Sequence, residues 1–303
     1  MTVQVLLSTY NGTTYLKPLM KSLRAQDYPD IEILVRDDGS SDGTINLLQE
    51  YALSSSNITI TGGENLGAAR SFLKLLEQSS PTADYVAFCD QDDVWLKDKI
   101  SRAVEFLDRS PNEIPALYCS RVTIVNENLK FIKYSDIPKK GLSFRNALVE
   151  CLIWGCTIVI NQSARQILLR ELPRYVRMYD AWAYLVVSAF GVVLYDEESR
   201  ILHRRHARNA SMIPLTFRDR ILIRVRQFLR YGNKQSVVRQ AEEFRRIYGS
   251  FVPTESKQVL ERFLESRKHF RDRFRYALTC DVYHQSALGH LMLRFLIVLN
   301  RVF

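Results

Sequence analysis

The first half of the chain alternates short apolar runs with amphipathic stretches. Val3–Leu7, Ile31–Val35, Ile58–Ile60 and Tyr85–Cys89 have the length and the β-branched and aromatic content of buried strands. Between the first two, Leu16, Leu19, Met20 and Leu23 recur at helical spacing. Further helices are expected over Ile45–Tyr51, Leu66–Gln78 and Trp95–Arg109. Strands alternating with helices of this length predict an α/β fold, a mostly parallel sheet with helices on both faces. Ligands bind such sheets beyond the carboxyl ends of the strands. Three polar clusters fall at those ends, Ser8–Asn11, Asp37–Ser40 and Asp90–Asp93, so three strand ends are expected to converge on one crevice.

The middle of the chain is less regular. Ala116–Val125 reads as a strand, Gly155–Ile160 as another and Gln162–Leu169 as a helix. Asp180 stands where a helix begins and suits an N-cap. Trp154, Gly155 and Cys156 precede a strand and either shape a pocket or join the core. Beyond residue 212 the pattern turns helical and basic. Phe217, Ile221, Val225 and Phe228 recur at spacings of four, four and three, interleaved with Arg218, Arg220, Arg224, Arg226 and Arg230. This divides the chain into a domain over 1–212 and a basic amphipathic helical extension over 213–303. Such an extension suits a membrane surface, a helical hairpin packed on protein, or an oligomer contact.

Charge sharpens that division. Residues 201–303 hold 21 Lys and Arg against 8 Asp and Glu, whereas residues 1–200 hold 21 against 25. An anionic partner is expected for the basic part. Five cysteines, with neither a CxxC pair nor zinc spacing, suit a reduced cytosolic setting. The N-terminus lacks the look of a signal peptide, and the longest apolar runs are shorter than a membrane span needs. A cytoplasmic protein is therefore expected, peripheral at the inner face of the cell membrane. A nucleic-acid-binding protein is the rival class. The basic part carries no recognised nucleic-acid motif and the acidic crevice would repel phosphate, so nucleic acid is not an expected partner.

The acidic segment Asp90-Gln91-Asp92-Asp93 ends an apolar run. Clustered carboxylates repel one another unless a cation binds, and hard divalent ions prefer oxygen ligands. The same residues also suit a solvated turn capping the following helix. Taken in order, Leu7-Ser8-Thr9-Tyr10-Asn11-Gly12, Arg36-Asp37-Asp38-Gly39-Ser40-Ser41-Asp42-Gly43-Thr44, Asn65-Leu66-Gly67 and Asp90-Gln91-Asp92-Asp93-Val94-Trp95 closely resemble glycosyltransferase family 2. The resemblance covers about residues 3–212. Within the family, the chain looks most like bacterial rhamnosyltransferases of surface-polysaccharide synthesis.

The resemblance implies a GT-A fold, a Rossmann-like nucleotide-sugar-binding sheet, and an inverting, metal-dependent sugar transfer. It places Ser8, Tyr10 and Asn11 in the base pocket and Asp38 at the pyrimidine edge or ribose. Arg70, Gln91 and Asp90 fall along the nucleotide, and Arg204 at its phosphates. Asp92 and His206 are implied as ligands of Mn²⁺ or Mg²⁺, and Asp180 as the general base that deprotonates the acceptor hydroxyl. Tyr179 and Ala181 flank Asp180 where relatives carry other residues, and Ala207-Arg208-Asn209 departs from the family's Gly-Asn-Asn. The implied donor is dTDP-L-rhamnose, with a UDP-hexose as the alternative. The implied acceptor is a lipid-linked saccharide, and a homo-oligomer is a further expectation.

Overall fold

The computed structural model describes residues 1–206 and 236–302. The expected helix around Phe217–Phe228, and the Ala207–Asn209 segment, lie outside the described residues. The chain forms two compact units. The first comprises Met1–Ile137, Ile153–Leu172 and Met178–Arg204. The second comprises Pro138–Leu152, Pro173–Arg177 and the chain from Arg205 onward.

The first unit is an α/β sandwich around a seven-stranded sheet. In chain order its early elements are β1 (Val3–Thr9), α1 (Thr13–Arg24), β2 (Ile31–Asp37), α2 (Thr44–Leu53), β3 (Ile58–Gly62), α3 (Ala68–Gln78), β4 (Tyr85–Asp90), β5 (Val94–Trp95) and α4 (Lys99–Leu107). They are followed by β6 (Ala116–Ser120), β7 (Thr123–Val125), β8 (Phe131–Tyr134), β9 (Val159–Asn161), α6 (Gln162–Leu168), α7 (Tyr179–Phe190), β10 (Val192–Asp196) and β11 (Ile201–Arg204). The large sheet runs β10-β6-β9-β4-β1-β2-β3, and in it only β9 lies antiparallel to its neighbours. Val3, Val5, Leu6 and Leu7 of the central β1 are wholly buried, as a strand covered on both faces requires. Because β1 pairs in parallel with β2 and β4, Thr9 stands opposite Asp37 and Ser8 opposite Asp90. The three polar loops therefore leave the same sheet edge side by side.

Three local expectations are corrected. Ala116–Val125 is not one strand: β6 belongs to the large sheet and β7 to a small one ordered β5-β11-β7-β8. The chain switches sheets at the polar Ser120-Arg121 step, where the Arg121 N–H donates to the Asp196 carbonyl and Val122 pairs with Ser135. The helix expected from Trp95 begins at Lys99, because Val94 and Trp95 pair with β11 instead. Gly155–Thr157 is a turn of 3-10 helix rather than strand.

The second unit is helical. It contains α5 (Phe144–Ala147), α8 (Ser236–Tyr248), α9 (Thr254–Glu265), α10 (Phe270–Thr279) and α11 (Ala287–Val298). The Phe144 ring packs 5.3 Å from that of Phe244, which in turn lies 5.0 Å from Tyr248. Phe263 of α9 meets Tyr276 of α10. Among the described residues, no helix is long and apolar enough to cross a membrane.

Candidate nucleotide-sugar site

The loop after β1 is held by the loop after β4. Tyr10 donates its backbone N–H to Gln91 Oε1 (2.9 Å), and Gln91 Nε2 donates back to the Tyr10 carbonyl (2.9 Å). This two-point clamp needs Gly12, since a Cβ there would sit 2.2 Å from Gln91 Oε1. With its backbone fixed, Tyr10 leaves its ring exposed at the sheet edge. Asn11 adds a second tie, to the loop after β2. Its N–H donates to Ser40 Oγ and its Oδ1 accepts from the Ser41 N–H. Asp37, buried, accepts from Thr9 Oγ1, Ser40 N and Ser40 Oγ.

Asp38 is 2% exposed. Its carboxylate is paired with the buried Arg36 guanidinium and accepts the Leu66 and Gly67 N–H groups, each at 2.9 Å. Arg36 also donates to Ser71 Oγ and the Glu64 carbonyl. Three of about four acceptor sites on the carboxylate are thus used internally. Asp38 fixes the turn that leads into α3, where Gly67 takes a φ of +76° that L side chains rarely adopt. Ser8 Oγ meets Ser71 Oγ at 2.6 Å, while Arg70 is exposed near the start of α3.

The acidic segment is built from the opposite side by β11. His203 is buried, with Nδ1 at 3.0 Å from Asp93 Oδ1. Burial alone would lower the imidazole's pKa, but Asp93 and then Asp92 and Asp90 overcome it and raise the group to about 9. The ring is therefore protonated near neutral pH. Asp93, His203 and Cys156 place their ligand atoms within 4.8 Å of one another. Through the contact of His203 Nδ1 with Asp93, the trio braces the loop after β4 against β11. Arg204 completes the brace: its N–H donates to Asp93 Oδ1, its Nε to the Asp92 carbonyl and its Nη1 to the Glu127 carbonyl, and its guanidinium lies over the Tyr15 ring. The groups that hold Asp92 in place are thus Arg204 and, through Asp93, His203. His206 lies two residues past β11, half-buried, in the second unit.

Asp90 is pushed well above the usual carboxylate range, first by burial and then by the charges of Asp93 and Asp92, with His203 opposing and Asp180 adding. Tyr179 donates its hydroxyl to Asp90 Oδ1 at 3.3 Å, and its ring lies 4.0 Å from Phe72 and 5.3 Å from Phe88. Gly155 makes room for it: a Cβ there would come 2.1 Å from the Tyr179 oxygen. Asp180 follows directly, half-buried in the first turn of α7. The N-cap is Met178, so Asp180 is not the expected cap. Its charge is felt at Asp90, which brings the two ends of the site, 90 residues apart in sequence, together.

Sequence reasoning named most of these positions but missed the weight carried by Asp93, His203 and Tyr179. A strand alternation was available for His203, since Ile201 and His203 both face inward on β11. Nothing in the sequence signalled the contact of Tyr179 with Asp90.

Comparison with known proteins is consistent with this geometry. The dTDP-rhamnosyl transferase RfbG of Shigella flexneri is 39% identical over 105 residues, 33% of this chain and 36% of that protein. TuaG of Bacillus subtilis (strain 168), named for teichuronic acid biosynthesis, is 31% identical over 162 residues, 53% of this chain and 62% of its own length. These matches span about a third to three-fifths of the relatives' own length. Solved structures with the same fold include S. aureus TarS 1-349 in complex with UDP (TM-score 0.58, 17% identity, 93% of this chain and 76% of that one). Another is the mannosyltransferase PcManGT of Pyrobaculum calidifontis in complex with GDP-Man and Mn²⁺ (TM-score 0.58, 16% identity, 98% and 84%). The sheet is thus of GT-A type. The family model for glycosyl transferase family 2 matches residues 4–168, the stretch that supplies β1, β2, β4 and all three polar loops, and the chain belongs to that family.

Proposed function

We propose that the protein transfers a sugar from a nucleoside diphosphate donor to a saccharide acceptor in cell-surface polysaccharide synthesis, with inversion at the anomeric carbon. The observation that carries this reading is the junction of Asp90, Tyr179 and Asp180, which joins the crowded carboxylates at the end of β4 to a carboxylate on α7. The similarity to RfbG supports dTDP-L-rhamnose as donor, and the similarity to TuaG supports a surface polysaccharide as product. The nucleotide sugars bound to TarS and PcManGT support a donor of this class, and UDP-hexose is the second candidate. A lipid-linked saccharide is the acceptor we favour.

In this reading the exposed Tyr10 ring stacks on the base, above a loop that Gln91 and Asn11 hold still. Ser8 and Arg70 border the nucleotide, and Asp38 serves it by fixing the Asn65–Gly67 turn. Asp90 and Asp92 fit Mn²⁺ or Mg²⁺, since both are oxygen donors and the repulsion that raises Asp90 is what a hard divalent ion relieves. Such an ion supplies charge neutralisation for the departing diphosphate. Arg204 and His203 keep Asp92 and Asp93 in place. Asp180 takes the proton from the acceptor hydroxyl as its oxygen attacks the anomeric carbon.

The test is transfer by the purified chain from a panel of nucleotide sugars, with and without Mn²⁺. Transfer from dTDP-L-rhamnose is expected, and Asp180→Asn should lower kcat by about 10²–10⁴-fold while donor still binds. The absence of both hydrolysis and transfer with every donor would refute the assignment. Near-normal turnover by Asp180→Asn would remove the base.

A further inference from the structure

The second unit carries an apolar face on two neighbouring helices. Among the described residues of α11, every exposed position is apolar; Leu288, Leu291 and Phe295 are 50%, 65% and 63% exposed. The other side of the same helix buries Gly289, Leu293 and Ile297. On α10, which packs against α11, Phe270, Phe274 and Leu278 recur every fourth residue and are likewise more than half exposed. Water-facing helices ordinarily show the opposite pattern, with apolar residues inward and charges outward.

The charges beside this face are mostly positive. Residues 267–302 hold seven Lys and Arg against two Asp and Glu, and Arg271 and Arg275 stand exposed on α10 next to the aromatic row. An apolar face bordered by cations matches the interfacial zone of an anionic lipid leaflet, apolar within and negative at the headgroups. A second copy of the chain is the competing occupant, and it would leave the flanking arginines without the anionic groups that a phospholipid leaflet supplies. With twelve residues, α11 reaches about 18 Å, too short to span a bilayer of about 30 Å of hydrocarbon, so it lies along the surface.

We propose that the exposed face of α10 and α11 docks on an anionic phospholipid surface, with Phe270, Phe274, Leu278, Leu288, Leu291 and Phe295 entering the interface and Arg271 and Arg275 pairing with headgroup phosphates. The proposal concerns the surface alone and is read without donor or acceptor, so its failure is separate from failure of the transfer assignment.

The experiment is flotation of the full chain with vesicles of phosphatidylcholine alone and of phosphatidylcholine mixed with phosphatidylglycerol. The wild type should float with the mixed vesicles and lose binding as salt rises. Leu291→Ser/Phe295→Ser should lower the bound fraction about ten-fold on mixed vesicles. Arg271→Glu/Arg275→Glu, which changes only exposed side chains and guards against a folding defect in the first variant, should do the same and weaken the salt dependence. A wild type that ignores mixed vesicles, or two variants that float as it does, would overturn the assignment. So would a concentration-dependent dimer in sedimentation velocity that Leu291→Ser/Phe295→Ser dissolves while vesicles remain unbound; that result would give the face to a second copy.

Discussion

At Asp90 burial and three neighbouring carboxylates all act against the charged form. The Tyr179 hydroxyl is a neutral donor that favours it, and a hydrogen bond to a charged group contributes about 1.5–3 kcal/mol. Tyr179→Phe keeps the ring between Phe72 and Phe88 and removes only that donor. We expect kcat/KM to fall about ten-fold, with most of the loss in apparent affinity for the divalent ion and the donor, and little change in the unfolding midpoint. Metal titrations of initial rate check this; a change in midpoint with unaltered metal dependence would reduce Tyr179 to packing. Gly155→Ala approaches the same atom from the other side. Its Cβ would overlap the phenol oxygen and Cζ, which costs about 1–3 kcal/mol in an otherwise full core. The two substitutions share a contact, so their effects on activity should be non-additive in a double-mutant cycle.

At the level of elements, the site depends on loops that brace one another. Gln91→Ala removes both hydrogen bonds to the Tyr10 backbone, freeing the loop between β1 and α1. Because the clamp holds the donor side and not Asp180, we expect donor KM to rise several-fold with kcat nearly unchanged, measured under saturating acceptor. Behind the site, Lys99 at the start of α4 is buried with its ammonium 3.4 Å from the Trp95 ring centroid and no hydrogen-bond partner among the described residues. Burial lowers it from its ordinary 10.5 to about 8. Between those values the unfolded chain binds more protons, so this group adds stability as pH rises through that interval and penalises folding below it. Relative to Lys99→Met, the wild type should gain about 3 kcal/mol between pH 8 and 10.5, read from paired urea titrations. Parallel slopes for the two proteins would show that Lys99 stays solvated. The sheet and its convergent loops were legible in the sequence because buried parallel strands are continuous apolar runs and turns carry Gly, Asp and Ser. The breaks at Arg121 and between Trp95 and Lys99 were not, because the short polar steps that mark them, Ser120-Arg121 and Lys97-Asp98, read equally as exposed positions within one element. Lys99 was equally hidden, since a lysine reads as surface until its neighbours are known.

For the whole molecule, the shift in charge near residue 205 is visible in the sequence, yet the chain path is less simple than a domain followed by a tail. Pro138–Leu152 and Pro173–Arg177 interrupt the first unit and belong to the second. Their partners come from the C-terminal helices. Phe144 packs on Phe244, Asn146 Nδ2 donates to the Tyr283 carbonyl, and Glu150 accepts the Gln285 N–H and pairs with His284. The Arg174 and Arg177 N–H groups donate to Glu243 and Gln240. Pairings between residues 63 to 137 positions apart have no local signature, which is why composition alone suggested a domain followed by an extension. A chain ended at residue 212 would keep the two inserted segments and lose these partners. Phe144, buried against Phe244 in the full chain, would meet water at about 1.5–3 kcal/mol, and Asn146, Glu150 and the Arg174 and Arg177 N–H groups would lose their partners at about 1–3 kcal/mol each. That sum rivals the 5–15 kcal/mol by which a whole domain is ordinarily stable. We therefore expect the 1–212 chain to be recovered in lower soluble yield and to unfold well below the full chain, or without a cooperative transition. Limited proteolysis should cut it first within 138–152. Equal unfolding midpoints for the two chains would show instead that the inserted segments hold without the C-terminal helices.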